Sequence, residues 1–156
     1  MAWASARPRH TASPDGKHIY VCASDDDLVR VFDPETMQET HTLPSGPDPE
    51  LFVLSPDGGR LYIANEDDNL VTVVDTRTHK VLAEIPVGVE PEGMAVSPDG
   101  KVLAATSADG DQILQVFSLG THKLVSTVGK IGKVKVKDAS VGQGDPGAAG
   151  DLGQEG

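Results

Sequence analysis

The chain is poor in several things that would each open a class of function. It has one cysteine, Cys22, which excludes an intrachain disulfide and a cysteine-based metal site. Burial as a small hydrophobe is its expected role, rather than service as a reactive thiol. Aromatic residues are only 4% of the sequence. No apolar run approaches the roughly 20 residues that a membrane-crossing helix needs. The opening residues, Met1 to His10, include arginines but no following apolar core of the secretory kind, so the chain as written carries no export address and would stay cytoplasmic. Basic residues are scarce: 13 against 24 acidic give a net charge of -11, which opposes contact with phosphate backbones. Neither nucleic acid nor a membrane is an expected partner. Phosphate-cradling glycine loops, nucleophile elbows and zinc-ligand spacings are also missing.

What the chain has is a repeat. Ser13-Pro14-Asp15-Gly16 returns as Ser55-Pro56-Asp57-Gly58 and as Ser97-Pro98-Asp99-Gly100, 42 residues apart each time. Laying residues 13 to 54 over 55 to 96 without a gap gives identity at 16 of 42 positions, among them Tyr20/Tyr62, Asp25/Asp67, Val31/Val73, Asp33/Asp75 and Pro49/Pro91. A period of roughly 40 to 45 residues, made of short apolar runs between turn signals, is the mark of a propeller blade of four antiparallel strands. The fold class expected is all-β: a partial β-propeller of about three blades, over about 13–44, 50–86 and 92–129.

The second blade reads most clearly. Its strands fall near 50–55, 60–65, 70–75 and 80–86. In Arg60 to Asn65 both faces are apolar or small, as face-to-face stacking between neighbouring blades requires. The tetrapeptide SPDG supplies the turn chemistry, with proline presetting φ, aspartate bonding back locally and glycine accepting the left-handed conformation. Asp75 is expected to cap the turn before the fourth strand. Blade three follows with strands near 92–97, 102–107, 113–118 and 123–128, one inserted residue in the turn 108–112, and Ser118 as a weaker cap. Blade one is expected to be incomplete, since its innermost strand falls on Arg7 to Ala12, which has no apolar alternation; residues 1–12 read as irregular. Lys130 to Asp138 alternates lysine and valine and reads as a possible extra edge strand, its lysines guarding an open edge. The glycine-rich stretch 139–156 reads as a disordered tail.

Tyr20-Val21-Cys22-Ala23-Ser24, Leu61-Tyr62-Ile63-Ala64-Asn65 and the recurring SPDG turn resemble the YVTN-type β-propeller repeat, an architectural relative of WD-repeat blades. Phe32-Asp33 and Val74-Asp75 stand where a Trp-Asp pair would be. The segments 44–52, 64–68 and 87–95 resemble the β-propeller proteins associated with pyrroloquinoline-quinone-dependent alcohol catabolism in bacteria. That resemblance covers about Pro14 to Val128 and implies a periplasmic protein with roughly twice this many repeats, so a truncated or frame-shifted copy without independent function is one alternative.

Two sets of acidic residues stand out. The turns Asp25-Asp26-Asp27 and Asp67-Asp68-Asn69 recur in register, which would place them at the same end of neighbouring blades. Hard oxygen ligands there could gather calcium, although aspartate and asparagine are also the default residues of such turns. The loops carrying Asp48, Glu50, Glu90 and Glu92 lead into the innermost strands and so should rim the central channel. A carboxylate pair can do acid-base work if burial separates the two pKa values. No arginine or histidine converges with them in the sequence, which favours plain binding over catalysis. His79 and His122, each followed by lysine at the start of an outer strand, read as wet surface residues.

The expected function is therefore a non-catalytic binding or scaffold module. The resemblance adds an accessory role in quinone-dependent oxidation, with a dehydrogenase or cytochrome as partner, and a lactonase-like hydrolase as the alternative. No catalytic residue, cofactor or metal ligand is assigned. Open flanks on blades one and three imply either self-association, with two or more chains completing a ring, or a marginal, aggregation-prone fragment.

Overall fold

The computed structural model describes residues 4–6, 9–107, 112–129 and 134–136. Fourteen strands carry almost all of the described regular structure: β1 (Ala4–Ala6), β2 (His10–Ala12), β3 (Ile19–Ala23), β4 (Leu28–Phe32), β5 (Glu39–Pro44), β6 (Pro49–Leu54), β7 (Arg60–Asn65), β8 (Leu70–Asp75), β9 (Lys80–Pro86), β10 (Pro91–Val96), β11 (Val102–Ser107), β12 (Gln112–Ser118), β13 (Lys123–Gly129) and β14 (Val134–Val136). They form three antiparallel sheets in the orders β2-β3-β4-β5, β6-β7-β8-β9 and β1-β10-β11-β12-β13-β14. Each sheet is a blade, and the sheets are open rather than closed into barrels.

The first blade departs from expectation. Its innermost strand does form: His10, Thr11 and Ala12 pair with Val21, Tyr20 and Ile19. Three residues of backbone pairing need no apolar alternation, so the sequence pattern missed them. Ala4–Ala6 of the supposedly irregular segment forms a further strand on the inner edge of blade three, in register Ala4↔Val96 and Ala6↔Met94. At the other edge of that blade β14 pairs with β13, Ser126 opposite Val136. The inserted turn 108–111 and the stretch 137–156 lie outside the described residues.

Stacking follows from strands apolar on both faces. Successive β7 residues alternate sides: Leu61 and Ile63 join Tyr20, Val29, Val31, Leu43, Phe52, Leu54 and Val74 in the joint with blade one. Tyr62 and Ala64 join Leu51, Val53, Val71, Val73, Ile85 and the blade-three residues Met94, Val96, Leu103, Ala105 and Phe117 in the other joint. Leu61, Tyr62, Ile63 and Ala64 are all essentially without solvent exposure. A one-residue slip would exchange every one of these partners, so the register is strongly fixed. A bulge recurs between the third and fourth strands of each blade, at Val31/Phe32, Val73/Val74 and Val116/Phe117, and adds twist at the same place three times.

The three SPDG turns are chemically identical. Gly58 has φ +71, and its amide donates to the Ser55 carbonyl. Asp57 accepts from the Ser55 hydroxyl at 2.6 Å and from the Gly59 amide at 2.9 Å, while Arg60 N–H donates to Ser55 Oγ. The same bonds recur around Ser13/Asp15 and Ser97/Asp99. The serine hydroxyl first, and then the backbone amide, hold the three carboxyls below the usual carboxylate range. Asp75 accepts from the amides of Arg77 and Thr78, and Asp33 from those of Glu35 and Thr36, as an Asx cap should. Ser118 makes no such bond.

Candidate functional site

The inner ends of the blades gather charge. Glu50 lies at the start of β6, Glu66 just after β7, Glu92 at the start of β10, and Arg9 just before β2. Together with Leu51 and Pro91 they line an open cavity of about 220 Å³. The carboxylates of Asp48, Glu50 and Glu66 are half-buried and bring oxygens within 4.8 Å of one another. One guanidinium nitrogen of Arg9 donates to both oxygens of Glu50, at 2.8 and 2.7 Å. Leu51, only 6% exposed, supplies an apolar wall.

The crowding of like charge registers on Glu66. Partial burial first, then the fields of Glu50, Asp48, Glu90 and Asp67, push its carboxyl above the usual range. Cys22 feels the same neighbourhood: burial drives its thiol up to about 12, with Arg9 pulling the other way and Glu50 adding to the rise. It is therefore a poor nucleophile at neutral pH.

The loops that place these groups are held by a bond repeated between blades. Asp27 Oδ1 accepts from the Asp48 amide at 3.0 Å, and Asn69 Oδ1, 42 residues on, accepts from the Glu90 amide at 2.9 Å. Asp27, Asp48, Asn69 and Glu90 all lie at positive φ, between 46 and 55. Each hairpin turn thus fastens the loop leading into the next blade. Ser24 Oγ adds a bond to the Pro49 carbonyl at 2.9 Å.

Of the residues expected at the rim, Asp48 and Glu50 meet in the cluster and Glu92 lines the cavity with its side chain exposed. Glu90 is exposed, its backbone engaged in the latch and its charge acting on Glu66. The acidic turns are not a common ligand set: Asp26 is ion-paired to Arg30 at 2.5 Å, Asp27 is the latch, and Asp25, Asp67 and Asp68 are exposed. Only Asp48, Glu50 and Glu66 could jointly hold a cation among the described residues, and Arg9 already occupies both oxygens of Glu50. With one oxygen offered by each carboxylate, the three would also leave roughly three to five of calcium's six to eight positions to other ligands.

The expectation that no arginine converges on the rim carboxylates is corrected by Arg9, which stands at the repeat position of Leu51 and Gly93 and so breaks the period. Glu66 was hidden inside a hairpin turn. A usable signal existed, since its repeat partner is Ser24 and the departure from the repeat marks a residue that the turn itself does not require. Of the histidines, His79 is exposed, as expected of a surface residue, and stacks on His41 at 4.2 Å, whereas His122 departs from that expectation, being half-buried with an enclosed, unpartnered Nε2.

Three antiparallel sheets, two of four strands and one whose four blade strands gain β1 and β14 at its edges, stacked face to face and carrying their loops at one inner rim, define a segment of a β-propeller. A family model described as YNCE-like beta-propeller matches residues 2–137, and the chain belongs to that family. Among solved structures the chain is similar to hydrazine synthase of Kuenenia stuttgartiensis, with 28% identity and a TM-score of 0.73 over 80% of this chain. The match covers 36% of that chain, so the present sequence spans about a third of it. No curated protein matches.

Proposed function

We propose that the chain is a non-catalytic binding module whose inner rim takes a cationic side chain, lysine or arginine, from a protein partner. One observation carries this reading: the carboxylates of Glu50, Glu66 and Glu92 line an open cavity, with Arg9 the single basic residue among its lining groups. The pair Arg9–Glu50 shows how a guanidinium is received there, and burial first, then the neighbouring carboxylates, raise the Glu66 carboxyl, a shift that a cation seated beside it would oppose. Among the described lining residues there is no serine, histidine or cysteine to act as nucleophile or imidazole base. By resemblance, the partner is a dehydrogenase or cytochrome of periplasmic quinone-dependent alcohol oxidation. An NMR titration with a short arginine-glycine peptide tests the reading. Shifts confined to Glu50, Glu66, Glu92 and Arg9 support it; no shift, or equal shifts with a glutamate-glycine peptide, refutes it.

A lactonase-like activity is the competing reading, favoured only by the closeness of two half-buried carboxylates. Turnover of a lactone panel, abolished by Glu50→Gln and Glu66→Gln, would establish it. Self-association is a separate proposal, resting on the half-buried Ile19, Val21 and Phe32 of blade one and Leu114, Val116 and Val128 of blade three. Those of blade one stand where blade two carries Leu61, Ile63 and Val74, and those of blade three where it carries Val71, Val73 and Ile85, all fully buried in its two joints. Light scattering across a concentration series distinguishes an associating chain from a monomer.

A further inference from the structure

Three imidazoles meet where blade one packs on blade two, at the end of the joint marked by the SPDG turns. His41, on β5, lies parallel to His79, in the turn after β8, with ring centroids 4.2 Å apart and planes at 10°. His18, just before β3, meets His41 edge-on at 6.1 Å and 78°, and is tilted against Tyr20 at 6.3 Å. The Nδ1 of His18 is enclosed without a hydrogen-bond partner. The rings come from separate stretches of chain, one of them in the neighbouring blade.

The repeat does not account for this. Forty-two residues on from His18 and His41 stand Arg60 and Ala83, so the joint between blades two and three has no imidazole facing His122 in the corresponding way. Both His79 and His122 lie at positive φ, 61 and 57, so the turn geometry is common to the joints and the stack is not. The molecule carries its own internal control.

We infer that the His18–His41–His79 stack is a pH-sensitive clamp, closed when the rings are neutral and loosened when they take up protons, acting on the joint between blades one and two alone. Parallel imidazoles in contact attract as neutral rings, but two imidazolium ions in the same positions repel across a partly desolvated gap. Burial first, then the fields of His79 and His18, hold the His41 ring below the usual histidine range. A histidine depressed in this way adds its full stability above the unfolded value near 6.5 and loses it as pH falls through the folded value.

Other charges around the stack do not cancel this. From blade one, Asp15 and Asp33 both feel His18, Lys17 sits beside Asp15, and Glu39 is engaged with Arg30. Both aspartates are held low by hydrogen bonds and stay anionic throughout the histidine range. From blade two, Arg77 and Lys80 flank the His79 turn, and Asp57 and Asp75 are engaged in their own turns. On His41 itself the acting charges are the two other imidazoles, and its Nδ1 contacts the Thr40 hydroxyl at 2.9 Å. The inner end of the same joint is held independently by Arg9–Glu50, Ser24–Pro49 and Asp27–Asp48. Acid therefore opens the stacked end while the rim stays fastened.

Imidazole NMR titration and amide exchange on the full chain test this together. The His41 midpoint should rise in His79→Asn, a change that keeps a residue tolerant of the left-handed turn. Between pH 7.5 and 5.5 the protection factors of β3 to β5 should fall on the order of tenfold more than those of β11 and β12. His41→Phe, which keeps a ring in the stack but cannot bind a proton, should remove that difference. An unchanged His41 midpoint in His79→Asn, equal loss of protection in all blades, or an undiminished difference in His41→Phe overturns the clamp.

Discussion

Replacing Leu61 or Tyr62 with alanine perturbs adjacent residues of one strand that face opposite joints. Leu61 is 0% exposed and packs among Tyr20, Val31 and Phe52; Tyr62 is 1% exposed and packs among Leu51, Val96 and Phe117. Truncating a fully buried leucine costs roughly 2–5 kcal/mol and a buried aromatic about 3–5 kcal/mol, because the walls of the cavity relax only in part. For a chain of this size each kcal/mol moves Tm by about 2–4 °C, so a mid-range loss of about 3 kcal/mol lowers it by roughly 6–12 °C in either variant. Melting temperature alone cannot tell the joints apart; amide exchange can. Leu61→Ala should deprotect β3 and β4 far more than β11 and β12, and Tyr62→Ala should do the reverse. If both variants deprotect the same strands, blades do not stack as separate units and the assignment of faces fails.

Three further outcomes follow from local chemistry. Because the Glu66 carboxyl is raised, its contribution to stability is present below the unfolded value and lost as pH rises through the folded one. Glu66→Gln should thus raise Tm at pH 7, by an amount worth less than about 1 kcal/mol for a half-buried group, and bring little gain at pH 4. Thermal melts at the two pH values check the sign. Gly16 and Gly58 share φ +71, but a Cβ at Gly58 would come 3.0 Å from Pro14 Cδ while one at Gly16 meets nothing within 4 Å. Both alanine variants should lose about 1–2 kcal/mol for the left-handed backbone, with Gly58→Ala the less stable in chemical denaturation. Cys22, its thiol pushed up to about 12, should alkylate at pH 8 on the order of a thousandfold more slowly than in the unfolded chain, as mass spectrometry would record.

The repeat made the fold legible because its signals are local. SPDG specifies a turn by its own side chains, and the alternation in β7 specifies two buried faces without reference to anything distant. Pairing that rests on backbone alone left no such trace, which is why β2 was expected to be missing and β1 was not foreseen. The rim was half legible for a related reason. Asp48, Glu50, Glu90 and Glu92 repeat with the period, so their common end of the blades could be placed in advance. Arg9 and Glu66 break the period, and their contribution depends on separations of 41 and 16 residues from Glu50 that only the folded chain closes. The histidine stack was illegible on the same grounds: His18, His41 and His79 share no repeat position, and the joint brings them together.

The central claim is that the acidic inner rim receives a basic side chain. Calorimetric titration of the chain with the arginine-glycine peptide at low and high salt tests it most directly, beside a Glu50→Gln, Glu66→Gln, Glu92→Gln variant. The account predicts measurable binding that weakens as salt screens the rim and disappears in the variant. Binding of equal strength in the variant, or none in the parent chain at low salt, would contradict it.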